Sequence, residues 1–341
     1  MKSDRNLVAH LLRRAGFGAT AIELDQLTSE KSYEDIVDDL VNPERFTDIG
    51  DDFIDRFYSG EGPASYVGKW LYRMINTNHP LQEKMALFLH QIFPVAWGKS
   101  EHGPSIFTEI DTFRKVGLSS FKTILVELSR DPAMINWLDN NENHKDEINE
   151  NYGRELLELF SMGVGNYSED DIKNASRAFT GWTFSQPLPV YPHGHYPARF
   201  EFRTEDHDDT EKTFLGETGN FNGEDIISII VKQRATARFM TRHLSNFFVE
   251  DEPQIPSWNI KPSKNEELIL SLTDIFIQTK GDLKLVLKTL FNSDSFKNSI
   301  CNKKVKSPTE LVAGILKLTG QYKEIKPGLE KYINNLTVMG Q

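Results

Sequence analysis

The chain has 341 residues, of which 38% are hydrophobic and 26% charged, a composition typical of a globular protein with a sizeable core. Its 39 basic and 50 acidic side chains leave a net charge of -11, which argues against a general nucleic-acid or anionic-membrane binder but leaves room for a local basic pocket. The one cysteine, Cys301, excludes an internal disulfide and a thiolate zinc cage.

The polar start of the chain, MKSDRNLVAHLLRRAGFG, does not fit a secretory signal peptide, because its apolar run is too short. The longest apolar runs, such as DIISIIV, stay far below the roughly 18 residues of a membrane-spanning helix. We therefore expect a soluble protein without a membrane span, whose compartment the sequence does not fix.

Helical periodicity dominates the chain, and signals for helix starts recur along it. Capping-box pairs are predicted at Ser168 with Asp171 and at Ser307 with Glu310, and two successive helices break near Gln233. In chain order, the main predicted helical segments are HLLRRAGFG, HPLQEKMALFLHQIF, DPAMINWL, ENYGRELLELFSMGVGNY, SEDDIKNASRAFTGW, GEDIISIIVKQ, RATARFMTRHLSNFFV, NEELILSLTDIFIQTKG, DLKLVLKTLFN and SPTELVAGILKLTG.

Strand signals are scarce. The segment ARFEFRT alternates between apolar and polar residues, and KTFLGE is its predicted partner in a small hairpin. The surrounding stretch, residues 186–220, is otherwise an irregular insertion rich in Pro, Gly, His and Asp, and loops of that length are usually functional or disordered. We predict an all-α fold, one multi-helix domain over residues 1–341 with loop insertions and at most one small β-hairpin. A weakly signalled domain boundary near residue 186 or 252 is the alternative.

The helix predicted in ENYGRELLELFSMGVGNY carries three charges among its leucines. At about 100° per residue, Arg154, Glu155 and Glu158 fall on one stripe with Asn151, away from the leucines that precede Phe160. The stripe either faces water or neighbouring arginines as a structural ion network, or it lines a polar pocket. In a pocket, two carboxylates at this spacing would bind a metal ion or act as acid and base.

Glu83 and His90 share one face of the helix predicted in QEKMALFLHQIF, two turns and about 10 Å apart. That separation is too long for both side chains to bind one metal ion without a third ligand, and the spacing is not that of a zinc-binding helix. Both residues are candidate catalytic groups. The alternative for His90 is a hydrogen-bonded histidine of the core.

Arginines form two further patterns. Arg13 and Arg14 lie beside the glycine turn of HLLRRAGFG, where they either complement the helix dipole or clamp an anion. Arg238 and Arg242 lie at i and i+4 in TARFMTRH, where like charges repel each other. Each of the second pair is therefore expected to have an acidic partner or a bound anion.

The segment HGHYPARFEFRTEDHDD brings His193, His195, His207 and Asp208 into one loop. Such residues are plausible ligands for zinc or another divalent ion, and His207 and Asp208 are the candidate metal-binding residues. The alternative is a solvated polar loop, because this spacing is loose. A divalent metal is the one candidate cofactor, and the sequence does not identify it.

Several of these segments together resemble one large bacterial family, catalogued as domain of unknown function eighteen hundred. The similarity covers the chain from about residue 7 to residue 341. The segments that carry it are HLLRRAGFG, LQEKMALFLHQIF, DPAMINWLDNN, NENYGRELLELFSMGVGNYSEDDIKNASRAFTGW, HDDTEKTFLG, ATARFMTRHLSNFFV and VKSPTELVAG.

The resemblance implies a helical protein for which no activity is established. Family members often carry export signals and are often encoded beside a sulfatase-like protein of the alkaline phosphatase superfamily. This chain lacks such a signal, and it stops at VMGQ, where relatives continue with a Pro-rich, Trp-containing tail. We therefore expect a C-terminus that is truncated relative to the family.

These observations predict a helical domain with an internal network of Arg, Glu and His side chains. The favoured function is a binding or assembly partner of a secreted sulfatase-like protein. The alternative is a hydrolase for an anionic substrate, with Glu155 or Glu158 as general base and His90 as acid or ligand. Catalysis predicts that these three converge on an open pocket, whereas a scaffold predicts paired and sealed charges. The candidate anion-binding residues are Arg13, Arg14, Arg154, Arg177, Arg238 and Arg242.

Overall fold

The computed structural model describes residues 4–60, 62–100, 102–185, 198–253, 255, 258, 261–301 and 304–341. Helices account for most of these residues, so the predicted all-α class is confirmed. The helices of the first half of the chain are α1 (Arg5–Arg14), α2 (Ala21–Glu30), α3 (Tyr33–Val41), α4 (Asp51–Phe57), α5 (Pro63–Asn76), α6 (Pro80–Ile92), α7 (Trp97–Ser100), α8 (Gly103–Val116), α9 (Phe121–Ser129), α10 (Pro132–Trp137) and α11 (Asn151–Glu158).

The second half continues in the same way, with a short region of strands between its first two helices. Its helices are α12 (Glu169–Ala178), α13 (Gly223–Ile230), α14 (Arg234–Phe248), α15 (Glu266–Gln278), α16 (Leu283–Asn292), α17 (Asp294–Asn298), α18 (Pro308–Thr319) and α19 (Tyr332–Val338). Among the described residues, no helix has the length and apolar character needed to cross a membrane.

The predicted helix starts are confirmed where local side chains cap the backbone. Ser168 and Asp171 form a reciprocal capping box at the start of α12, and Ser307 and Glu310 form another at the start of α18. The expected break between two helices falls at Gln233, which is the N-cap of α14. These starts depend on residues within one turn of each other, which is why the sequence alone indicates them.

The predicted strand pairing is wrong. Strand β1 (Trp182–Ser185) pairs antiparallel with β2 (Arg199–Phe202), and β3 (Lys212–Phe214) pairs antiparallel with β4 (Glu217–Gly219). There are thus two small sheets rather than at most one hairpin. The ARFEFRT strand pairs with the segment that follows α12, while KTF closes on ETG through a tight turn whose two central residues have positive φ, a geometry favoured in two-residue hairpins.

The middle of the predicted irregular insertion, residues 186–197 with His193 and His195, lies outside the described residues. The described part of the insertion, residues 198–220, contains three short strands and a single 3-10 turn. This part of the chain runs back to α12, and its strand β3 packs against that helix. The turn after β2 thereby brings His207 and Asp208 close to the end of α12.

One apolar core runs through the described helices, from Val8 in α1 to Leu336 in α19. Helix α6 is central to it, since nine of its 13 residues are buried, including Glu83 and Lys84. A buried charge is costly unless it is paired and hydrogen-bonded, so these two residues require partners from other helices. The organisation as one domain stays a prediction, and this shared core supports it.

Candidate functional site

The charged stripe of α11 is divided between surface pairs and one unpaired carboxylate. Arg154 binds Glu169 at 2.8 Å and Glu150 at 3.3 Å, and all three side chains are exposed. Glu158 accepts a hydrogen bond of 3.2 Å from the Tyr167 hydroxyl. The carboxylate of Glu155 has no hydrogen bond or ion pair with any residue that the structure describes.

Glu83 is fully buried and has partners on every side. Its carboxylate accepts hydrogen bonds from the Trp70 indole at 2.9 Å and from the Arg114 guanidinium at 3.2 Å. Arg73 lies 4.0 Å away and also pairs with Asp48 at 3.2 Å. This arrangement is a sealed ion network that ties α5, α6 and α8 together, and it leaves Glu83 no room for a substrate.

His90 faces a different carboxyl group from the one expected. Its Nδ1 lies 3.4 Å from Oε2 of Glu109, which is fully buried. Burial lowers the pKa of His90 to about 4 and raises that of Glu109 well above its usual range. The candidate catalytic residues are therefore not brought together: of the four, Glu155 alone lines the cavity between α6, α11 and α14, and Glu158 lines the next one.

Besides Arg154, three of the candidate anion-binding arginines have acidic partners inside the chain. Arg238 and Glu266 form two parallel hydrogen bonds of 2.6 and 2.9 Å. Arg242 binds Glu252 at 2.9 Å, and its guanidinium lies 4.6 Å from the centre of the Trp258 ring. The charge repulsion of the i and i+4 pair is thereby relieved within the protein, without an external anion.

The third, Arg177, is bound to Asp208, one of the two candidate metal ligands. Asp208 accepts a hydrogen bond of 2.7 Å from Arg177, and the ammonium of Lys212 lies 3.9 Å away. The Nδ1 atom of His207 lies 2.8 Å from the Thr180 carbonyl oxygen. No three His, Cys, Asp or Glu side chains form a metal-binding group within the described ranges.

Arg13 and Arg14 differ from the other candidate arginines. Neither side chain has a hydrogen bond or an ion pair with a described residue. Both line a cavity of about 320 Å³ at the C-terminal end of α1. We call this cavity the basic cleft, and its ionic lining consists of Arg13, Arg14, Lys84, Lys304, Lys306 and Glu310.

The one carboxylate among the described lining residues of the basic cleft is already occupied. Glu310 accepts a hydrogen bond of 2.5 Å from Lys84 and another of 2.9 Å from the backbone N–H of Ser307. Burial favours the neutral form of Glu310, but the Lys84 ammonium outweighs it, so the pKa of Glu310 is lowered. The carboxylate is therefore engaged by Lys84, and Arg14 is attracted to it and to Asp251 through space without forming an ion pair with either.

The remaining groups of the cleft do not neutralise the arginines either. Lys304 is held by Asp251 at 2.8 Å and by the Asn246 carbonyl at 2.7 Å. Burial, and then Arg14, lower the pKa of His10 to about 4, so this histidine is neutral at physiological pH. The cleft thus presents donors and positive charge, the two properties that an anion requires.

Sequence patterns singled out Arg13 and Arg14 but missed their neighbours. Lys304 and Lys306 belong to the basic run KKVK before Pro308, a signal that a search for charge clusters would have found. Lys84 gave no such signal, because it lies within an apolar helix and reaches the cleft only through the packing of α6 against α18.

The fold and these contacts define a mostly helical protein with a basic cleft, in which Glu83, His90 and the neighbouring Glu155 and Glu158 lie in separate surroundings. The chain belongs to the family described as "Protein of unknown function (DUF1800)", whose model matches residues 10–341. No curated protein and no solved structure matches the chain. The family resemblance is therefore confirmed, and it brings no activity with it.

Proposed function

We propose that this protein is a binding or assembly module that takes an anionic group of its partner into the basic cleft. The observation that carries the proposal is the pair Arg13 and Arg14, which share a cavity and whose side chains form no ion pair or hydrogen bond with a described residue. Burial and the charge of Arg13 both lower the pKa of Arg14, so the two guanidinium groups repel each other, and a bound anion would relieve that repulsion. The planar fork of a guanidinium donates two parallel hydrogen bonds to a pair of oxygens of a carboxylate, phosphate or sulfate group.

The partner is expected from the family resemblance to be a sulfatase-like protein. The basic cleft is suited to a sulfate, phosphate or carboxylate group that such a partner presents, or that a substrate shared with it carries. Its volume of about 320 Å³ is at the small end of ligand sites, which favours a single anionic group over an extended polymer.

The hydrolase alternative has weaker support. A general base and a general acid must lie within hydrogen-bonding reach of one substrate. Glu155 and His90 belong to different surroundings, since His90 lies against Glu109. Glu83 is held by Arg114 and Trp70, so it is not free to exchange protons with a ligand.

The test measures binding of sulfate and phosphate to the purified full chain by isothermal titration calorimetry at constant ionic strength. Arg13→Gln and Arg14→Gln are expected to weaken the affinity about tenfold each, the loss of one charge-assisted hydrogen bond. Arg5→Gln is the matched control, because Arg5 lies on the same helix but pairs with exposed Asp25.

Equal losses in all three variants would mean a diffuse electrostatic effect and would contradict a built cleft. The partner is tested separately, by measuring binding of a purified sulfatase-like protein to the wild-type chain and to Arg14→Gln. Anion binding without binding of that protein would keep the cleft and reject this partner.

A further inference from the structure

A second cavity, of about 370 Å³, lies between α6, α11 and α14, and its lining begins one turn along α6 from Lys84, at Phe88. We call it the aromatic cavity, because its lining is largely apolar and includes Phe88, Trp137, Phe160 and Phe247. Its size is within the usual range of small-molecule sites. Such a lining would by itself suit any apolar body.

Glu155 gives this cavity a charge. It is the one ionic side chain among the described lining residues, and no lysine or arginine lines the cavity with it. Burial, and then the neighbouring Glu158, raise the pKa of Glu155, and the opposing effect of Arg154 is the smallest of the three. Arg154 is itself paired with Glu150 and Glu169. The carboxylate therefore lacks a counter-ion within the described protein.

His243 does not supply that counter-ion. It is 6% exposed, and its Nε2 is buried without a hydrogen-bond partner among the described residues. Burial, and then Arg242, lower the pKa of His243 to about 3, so the imidazole is neutral at physiological pH. Arg242 itself is bound to Glu252 and is not available to Glu155.

We propose that the aromatic cavity binds a small organic cation, an ammonium or amidinium group on an apolar body, with Glu155 as the counter-ion. A carboxylate in an apolar wall favours a ligand that brings a positive charge and donor hydrogens. Aromatic rings add to this preference, because their faces attract cations. This inference concerns a different cavity from the basic cleft and does not depend on the proposed function.

The experiment compares three probes of similar shape on the full chain by ligand-observed NMR titration: benzylamine, benzyl alcohol and benzoate. The expected order is benzylamine first, then benzyl alcohol, then benzoate, with about tenfold between the first two, the usual contribution of a charge-assisted hydrogen bond. Equal affinity of benzylamine and benzyl alcohol, or binding of none of the three, would overturn the proposal without the need for any variant.

The Glu155→Gln variant tests whether Glu155 is the source of the preference for benzylamine. It should remove the preference for benzylamine over benzyl alcohol while keeping the affinity for the alcohol. Glu150→Gln is the matched control, because Glu150 lies one turn earlier, binds Arg154 and does not line the cavity. If both variants reduced the benzylamine affinity equally, the preference would arise from the overall negative charge of the protein, and the assignment to Glu155 would be wrong.

Discussion

Nδ1 of His90 lies 3.4 Å from Oε2 of Glu109, and within the described part of the chain neither atom has a hydrogen-bond partner. Burial favours the neutral form of both groups, raising the pKa of Glu109 and lowering that of His90. Asp131, also buried, has a raised pKa for the same reason and because Glu109 lies nearby. At neutral pH this cluster therefore favours protonated carboxyl groups beside a neutral imidazole.

Glu109→Gln should stabilise the protein at pH 7.5. The folded state holds a proton that the unfolded state releases above the ordinary pKa of 4.5, so the wild-type stability falls as the pH rises from there towards the raised pKa of Glu109. Glutamine is neutral in both the folded and the unfolded state, so the variant avoids this loss of stability. We expect its free energy of unfolding to rise by about 1 kcal/mol or more, since a tenfold change in proton affinity corresponds to about 1.4 kcal/mol.

Urea denaturation at pH 5 and pH 7.5 checks this, with the exposed Glu30→Gln as control. The gain from Glu109→Gln should be larger at the higher pH, whereas the control should show no such dependence. A gain that is the same at both pH values would mean that the substitution acts through packing.

Asp208→Asn should destabilise the protein at neutral pH by about 1–3 kcal/mol, because it leaves Arg177 without its charged partner. Burial opposes ionisation of Asp208, but hydrogen bonds from Arg177 and Thr210 lower its pKa to about 2. Its contribution is therefore present above the ordinary pKa of 3.8 and is lost as the pH falls from there towards 2.

The same variant separates an ion pair from a metal site. If Asp208 acts through Arg177, EDTA leaves the Tm of the wild-type protein unchanged, and Asp208→Asn lowers it. Plasma mass spectrometry of the wild-type protein provides the opposing outcome. A stoichiometric metal that is lost in Asp208→Asn would restore the prediction of a metal site at His207 and Asp208.

Local signals predicted the helices well, because a cap and its partner are neighbours in the chain. Ser168 with Asp171 and Ser307 with Glu310 are examples. Strand pairing was wrong because it depends on distant segments: Trp182 is opposite Phe202 across the intervening chain, and its ring packs 5.1 Å from that of Phe200. Alternation in one segment does not identify which segment pairs with it.

For the candidate site residues, too, spacing along the sequence does not identify partners that come from distant segments. Helical spacing correctly placed Arg154, Glu155 and Glu158 near one another, yet partners from outside the helix decide which of them is free. Glu169 binds Arg154, and nothing among the described residues binds Glu155. His90 and Glu109 come from α6 and α8, and no spacing within one helix indicates their contact.

The ion pair of Lys84 with Glu310 links the apolar core to the basic cleft. Substituting one or both members therefore tests the stability of the core and the binding of an anion in the cleft. The Lys84 side chain is buried, and Glu310→Gln would leave its ammonium without a charged partner, although glutamine can still serve in the capping box of α18. We expect a loss of about 3–5 kcal/mol in urea unfolding, as for other buried pairs that lose one member.

The double variant Lys84→Met with Glu310→Gln should recover much of that stability, because no buried charge remains. It also removes one positive and one negative charge from the basic cleft, so the net charge there is unchanged. Sulfate binding by Arg13 and Arg14 should therefore persist in the double variant, within about threefold of the wild-type affinity. Loss of sulfate binding in this stable variant would mean that Lys84 holds the anion, and would move the centre of the site from α1 to α6.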